Sequence, residues 1–246
     1  VKVGIIGIGN MGSAHLRMIT GGNIPDMTVT AVCDIDTEKL NAARNTYPAL
    51  RVFVDYTDLL KNSDTNAVII AVPHPLHAKI AIEAFKYGKH VLVEKPLDIT
   101  VSAAEDLCAA AEKSGKVFAI MFNQRTNGLF RKAREIVKSG ELGEIKRSVW
   151  IITNWYRTQS YYDSSKWRAT WAGEGGGVLL NQAPHNLDIW QWICGSPSAV
   201  TAFCSVGKFH NIEVEDEATI YAEYENGATG VFITSTGDCP GTNRLE

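Results

Sequence analysis

Through the first half of the chain, short uninterrupted apolar runs alternate with longer stretches of helical periodicity. Val3 to Ile6, Val29 to Cys33, Val52 to Val54, Ala67 to Val72, His90 to Val93 and Val117 to Met121 each read as a strand buried on both faces. Near-continuous Val, Ile and Ala runs of that length are the mark of a parallel sheet covered by helices. Helical patterns fill the intervals: Pro75 to Tyr87 stops at Gly88, and Ser102 to Ser114 stops at Gly115. A glycine just past a helix adopts the left-handed cap that other residues resist. Ser102 and Glu105 stand at capping-box spacing. Six strands with crossover helices predict a doubly wound α/β domain.

The pattern changes after Phe122. An amphipathic helix over Leu129 to Ser139 leads into longer, alternating runs at Ile145 to Thr153, Val200 to Val206, Ala218 to Tyr224 and Thr229 to Ser235. These read as half-buried strands, and Asn226-Gly227 supplies residues that tolerate the positive φ values of a tight hairpin turn. The expected architecture is a parallel-sheet domain over residues 1–122. An α+β domain over 123–246 follows, with an open-faced, mostly antiparallel sheet and helices on one side. Trp190, Trp192 and Ile193 read as the core face of a helix.

Composition narrows the function classes. The chain has 246 residues, 45% apolar and 21% charged, with 24 Lys plus Arg against 27 Asp plus Glu, a net charge of −3. That is ordinary globular usage and gives no basic footprint for a nucleic acid. The Ala67 to Val72 run falls far short of the roughly 18 residues of a membrane span. Five scattered cysteines without metal spacing read as reduced thiols of a cytoplasmic protein. No metal site is expected: His210, Glu213 and Asp216 are irregularly spaced. His15 and His74 read as local structural contacts.

Two segments carry chemistry. Gly7-Ile8-Gly9-Asn10-Met11-Gly12 matches G-x-G-x-x-G directly after the first strand. Its glycines allow a tight turn, backbone approach to a pyrophosphate, and close helix packing, and the helix it opens points N–H groups at the phosphates. Asp34 ends the second strand, where an acid can bind both ribose hydroxyls and repel a 2′-phosphate. That predicts NAD in preference to NADP. Glu94-Lys95-Pro96 follows the fifth strand, whose carboxyl end in such folds faces the ligand cleft. A lysine beside a cationic nicotinamide has its pKa lowered toward acid–base work, and Pro96 is a candidate cis proline.

Farther on, Glu174-Gly-Gly-Gly177 leads into Asn181-Gln182-Ala183-Pro184-His185-Asn186-Leu187-Asp188. Asn181, His185 and Asp188 have the spacing of one helical face, although Pro184 suits a first turn better than an interior. The segment before the glycine run is rich in aromatics and arginines. Trp155, Arg157, Arg168 and Trp171 are candidates to roof a sugar-like substrate, ring faces packing on apolar C–H surface and arginines clamping hydroxyls. The competing reading is a packing or subunit-contact surface.

Taken together, Gly7 to Gly12, Ala71-Val72-Pro73 with His77, Glu94-Lys95-Pro96, Asn123 with Arg125, and Gly175 to Asp188 resemble the Gfo/Idh/MocA oxidoreductases over essentially the whole chain. The resemblance implies a Rossmann domain, a second domain whose sheet often supports homo-oligomers, and nicotinamide chemistry on sugars or polyols. Matched residue by residue, Lys95 corresponds to the family's active-site lysine and His185 to its histidine. Asn181 falls where several members have aspartate and can orient a hydroxyl without acting as a base. Cofactor contacts are implied for Gly7, Gly9, Asn10, Met11, Gly12, Asp34, Val72, Pro73, His77, Glu94, Lys95 and Asn123. His185 also belongs to the implied substrate set.

The expected function is hydride transfer between NAD and a hydroxyl carbon of a sugar, polyol or sugar derivative. The rivals are an NAD-retaining glycoside-cleaving or epimerising enzyme, a non-catalytic dinucleotide sensor and, disfavoured by Glu94-Lys95-Pro96, a methyltransferase. Asp238 to Glu246 resembles the family's lead into another strand. On that resemblance the 246 residues are expected to be a fragment or truncated product, with an exposed sheet edge.

Overall fold

Each of the six apolar runs of the first half forms a strand, but only the four inner ones bury half or more of their residues under the connecting helices. The runs at Val52 and Val117 form the two sheet edges and have no buried residue, which corrects the expectation of burial on both faces. The computed structural model describes all 246 residues and divides into two units, Val1–Met121 and Phe122–Glu246. The first unit runs β1 (Lys2–Ile6), α1 (Asn10–Thr20), β2 (Thr28–Cys33), α2 (Thr37–Thr46), β3 (Arg51–Phe53), α3 (Tyr56–Asn62), β4 (Ala67–Ile70), α4 (His77–Lys86), β5 (His90–Val93), α5 (Val101–Ser114) and β6 (Phe118–Ile120). The sheet order is β3-β2-β1-β4-β5-β6, every pair parallel. That is the doubly wound order, with its switch point between β1 and β4. Two apolar layers cover the sheet, one around Ile6, Ile70 and Val93, the other around Ile5, Val32 and Ile69.

Three local expectations are corrected. The helix expected from Pro75 begins at His77, because His74–Leu76 forms a separate 3₁₀ turn. The cap of α5 is Thr100, whose side chain accepts the Ala103 N–H, so Ser102 and Glu105 lie inside the helix rather than forming its box. The run expected as strand through Val72 ends at Ile70.

The second unit contains α6 (Gly128–Lys138), β7 (Arg147–Ile152), α7 (Gln159–Asp163), α8 (Pro184–Cys194), β8 (Ala199–Val206), β9 (Glu215–Glu223), β10 (Thr229–Ser235) and β11 (Asn243–Leu245). Its sheet order is β11-β7-β10-β9-β8, with β7 and β10 parallel and the other pairs antiparallel. Trp150, Phe232, Ile189, Trp190 and Ile193 form the core on the helix-covered face. Trp190 donates to the Ser148 hydroxyl at 2.9 Å, which satisfies its only polar atom.

Two expectations change here. β8 is not half-buried: all of its residues but Ser205 are exposed, and none belongs to the core. The β9–β10 turn has positive φ at Gly227 (80°) but not at Asn226. Its Gly227 N–H bonds the Tyr224 carbonyl at 2.9 Å, a longer turn closed by one left-handed glycine. No helix of the chain is long and apolar enough to cross a membrane.

Candidate functional site

In the first unit, the loops after β1, β4 and β5 leave the same edge of the sheet. Gly7 has φ +88°, and its N–H bonds the Cys33 carbonyl at 2.8 Å. Gly12 packs so closely that a Cβ there would stand 1.8 Å from the Gly7 carbonyl oxygen. Gly9 is the reverse case: nothing lies within 4 Å of where its Cβ would be. It begins α1, which has no side-chain cap and no acidic residue in its first turn. Asn10 and Met11 are exposed beside it. Asp34 accepts the Ile8 N–H on Oδ2 (2.8 Å) and the Asp36 N–H on Oδ1 (3.0 Å), which ties the end of β2 to the glycine loop. Burial, with Asp34 as the next cause, pushes the neighbouring Cys33 thiol up to about 12, so it stays protonated.

The Glu94-Lys95-Pro96 segment is held from behind. Glu94 is 7% exposed and meets the His15 ring of α1 at 2.7 Å, so the contact of His15 spans 79 residues and is not local. His77 is 1% exposed, with Nδ1 2.6 Å from the Pro96 carbonyl and Nε2 2.8 Å from the Val72 carbonyl. Both ring nitrogens face backbone carbonyls, and the neutral ring donates to one of the two, so His77 acts on a ligand only through the two loops it joins. Burial lowers its pKa against the upward pull of those hydrogen bonds. Lys95 is half-buried, and the Lys95–Pro96 peptide is cis.

In the second unit, the glycine run docks on the first residue of β9. Glu215 is 7% exposed. Its carboxylate accepts the N–H of Gly177 at 2.9 Å and of Leu179 at 3.0 Å, and its carbonyl accepts that of Val178 at 2.8 Å. From there the chain turns tightly: the N–H groups of Leu180 and Asn181 both reach the Gly177 carbonyl. Pro184 then opens α8 in its first turn, where a missing N–H costs nothing. Asn181 therefore precedes the helix, and only His185 and Asp188 share it. His185 is half-buried, with its ring 5.9 Å from Phe122 at an interplanar angle of 85°. Asp188 takes Arg125 in a two-pronged bond (2.8 and 2.6 Å) that raises the guanidinium pKa.

The aromatic and arginine segment is largely knitted together. Trp155 donates to Asn186 at 3.2 Å, next to His185. Arg157 and Arg168 both lie over the Tyr161 ring, at 5.0 and 4.4 Å, and Arg168 also bonds the Tyr161 hydroxyl at 2.7 Å. Trp171 is 54% exposed, and Asn123, in a 3₁₀ turn, is exposed too. His210 and Asp216 form a loop tie: Asp216 accepts three backbone N–H groups and faces His210 Nδ1 at 3.2 Å.

A family profile described as the oxidoreductase family with an NAD-binding Rossmann fold matches residues 1–122. A second, for the Gfo/Idh/MocA C-terminal domain, matches residues 130–246. The chain belongs to the Gfo/Idh/MocA oxidoreductase family. It is 29% identical over 241 residues to the uncharacterised oxidoreductase YrbE of Bacillus subtilis, covering 96% of this chain and 67% of that protein. Inositol 2-dehydrogenase of Salmonella typhimurium is 35% identical over 146 residues, 58% of this chain and 43% of that enzyme. The chain thus spans about two thirds of one relative and less than half of the other. Among solved structures, the WlbA dehydrogenase of Chromobacterium violaceum, in complex with NADH and UDP-GlcNAcA, is similar at a TM-score of 0.90 and 28% identity. That match covers 98% of this chain and 68% of that one.

The glycine loop fits the cofactor in that family's description. Open space over Gly9 and an uncapped, uncharged first turn on α1 leave room and N–H donors for a pyrophosphate. Each Asp34 oxygen receives one N–H and retains a lone pair for a ribose hydroxyl. What the sequence reasoning missed in this Gfo/Idh/MocA chain is the buried support: His15 with Glu94, Glu215 under the glycine run, and Glu174 beside Asn181. Glu174 and Glu215 stood in plain view as acids next to, or facing, glycines. Distance along the chain hid the partner of Glu215 38 residues away, whereas Ala169 and Asn181 stand within seven residues of Glu174 and only the folded turn brings them onto it.

Proposed function

We propose that the protein transfers a hydride between NAD and a hydroxyl carbon of a sugar, polyol or sugar derivative. The observation that carries this reading is one chain holding three things: an open glycine loop braced by Asp34, Lys95 just past β5, and His185 in the first turn of α8. When bound, NAD supplies the hydride acceptor at the nicotinamide ring. His185 takes the proton of the reacting hydroxyl, Lys95 polarises its oxygen, and Asn181 orients it; the carbinol carbon loses its hydride and becomes a carbonyl. Asp34 selects NAD, since its carboxylate repels a 2′-phosphate. Arg157, Arg168 and Trp171 border the substrate.

The same reading extends to assembly and setting. On the uncovered face of the second sheet, Phe203, Thr219, Ile233 and Ile151 form one register row, and Thr201, Tyr221, Val231 and Val149 the next. Phe203 is 74% and Tyr221 42% exposed, which supports a homo-oligomer formed through this face. Five free cysteines, Cys33 among them buried, support a reducing, cytoplasmic setting.

The test is a screen for reduced nicotinamide by its near-ultraviolet absorbance. Myo-inositol, free hexoses and UDP-GlcNAcA are offered with NAD and, separately, with NADP. The expected result is reduction of NAD by one of these classes and much weaker reduction of NADP. Preference for NADP overturns the role of Asp34, and turnover without net NADH points to an NAD-retaining reaction.

A further inference from the structure

Glu174 precedes the glycine run and is 1% exposed. Three groups converge on it. The Ala169 N–H donates to Oε2 at 2.8 Å, the Asn181 side-chain amide donates to Oε1, and Arg168 Nη1 lies 3.8 Å from Oε1. Ala169 turns its N–H inward from a left-handed conformation, φ 54°, which a residue with a Cβ adopts only when its surroundings hold it there. Asn181 is gripped at both ends, its backbone N–H by the Gly177 carbonyl at 2.9 Å and its side chain by Glu174.

This grip fixes the sense of the amide. The end of Asn181 that meets Glu174 is the NH₂, which donates to the carboxyl oxygen Oε1. The planar amide then turns its carbonyl oxygen away from Glu174. We propose that Glu174 is a positioning residue that sets Asn181 as a hydrogen-bond acceptor and so restricts the substrate to one with a donor, a hydroxyl or an N–H, at that place. This rests on the assignment of Asn181 to the substrate site. A site built to accept such a bond rejects the analogue that lacks the donor by a large factor, because the buried acceptor is then left unpaired.

The test is an exchange cycle: Glu174→Gln, Asn181→Asp and the double variant, each followed by thermal melting and by turnover of myo-inositol and UDP-GlcNAcA with NAD. In Glu174→Gln the new amide accepts from Ala169 and donates to Asn181, which turns over and presents its NH₂. Turnover falls roughly ten- to a hundredfold while the melting midpoint moves little, a split that a purely structural role does not give. Asn181→Asp sets two carboxylates in contact and lowers the midpoint by roughly 4–8 °C. The double variant restores a donor–acceptor pair with the charge moved to position 181, so the midpoint returns close to that of the parent and the acceptor is again presented. Additive melting shifts in the double variant, or parental turnover in Glu174→Gln, overturn the proposal. Parent protein that turns over neither probe, while the melting cycle shows coupling, refutes these two substrates for the proposed function and leaves the hold of Glu174 on Asn181 standing.

Discussion

At Gly177 the backbone comes so near β9 that a Cβ would stand 1.8 Å from the Glu215 carbonyl oxygen. Relief requires backbone movement in the turn that carries Asn181, so Gly177→Ala is expected to cost about 3 kcal/mol in urea unfolding. A loss under a few tenths would show that the turn moves freely. His77 gives a second residue-scale prediction. Its folded pKa lies below the unfolded value of 6.5, because burial disfavours the charged ring. The unfolded chain therefore binds the extra proton, and the stability it contributes is present above 6.5 and lost as the pH falls below it. Between about pH 7.5 and 5.5 the parent should lose stability with a slope of up to about 1.4 kcal/mol per unit from this group, and His77→Gln should flatten the curve. Unchanged slopes would contradict the neutral buried ring. The places of Lys95 just past β5 and of His185 in α8 were legible because each sits in a motif read locally. Glu215 and the His15–Glu94 pair were not, since they join residues 38 and 79 positions apart.

Elements were legible where period and punctuation agreed. Gly115 closes α5 in the left-handed region (φ 64°), as its place after a helical run implies. The start of that helix was misplaced by two residues, because Thr100 and Ser102 are equally good caps in sequence and only the structure shows which hydroxyl reaches an N–H. Thr100→Ala should thus cost about 1 kcal/mol and Ser102→Ala almost nothing, measured by denaturant unfolding. Equal effects would return the cap to Ser102. The exposure of β8 was illegible for another reason: Val200, Ala202, Cys204 and Val206 carry the alternation of a half-buried strand, but the core of the second unit has no β8 member. Alternation reports which residues share a face, not what covers it.

For the whole molecule, the change of period near Phe122 marks a division into units with separate apolar cores. The exposed row through Phe203 predicts that Phe203→Glu shifts the protein to a smaller species in sedimentation, with the melting midpoint nearly unchanged because the residue is 74% exposed. An unaltered sedimentation profile would place any contact elsewhere. NAD bound only by the folded chain should raise stability by about 2.7 kcal/mol at a hundredfold excess over Kd, and NADP by less. The central claim, that hydride transfer runs through Lys95 and His185 on a chain that binds NAD, is tested most directly by one comparison. NADH formation by the parent is measured beside Lys95→Ala and His185→Ala, with NAD-induced melting shifts as the control. The expected result is turnover in the parent and a loss of roughly a hundredfold or more in both variants, each still stabilised by NAD. Turnover undiminished in either variant would contradict the role given to that residue, and undiminished turnover in both would remove the claim.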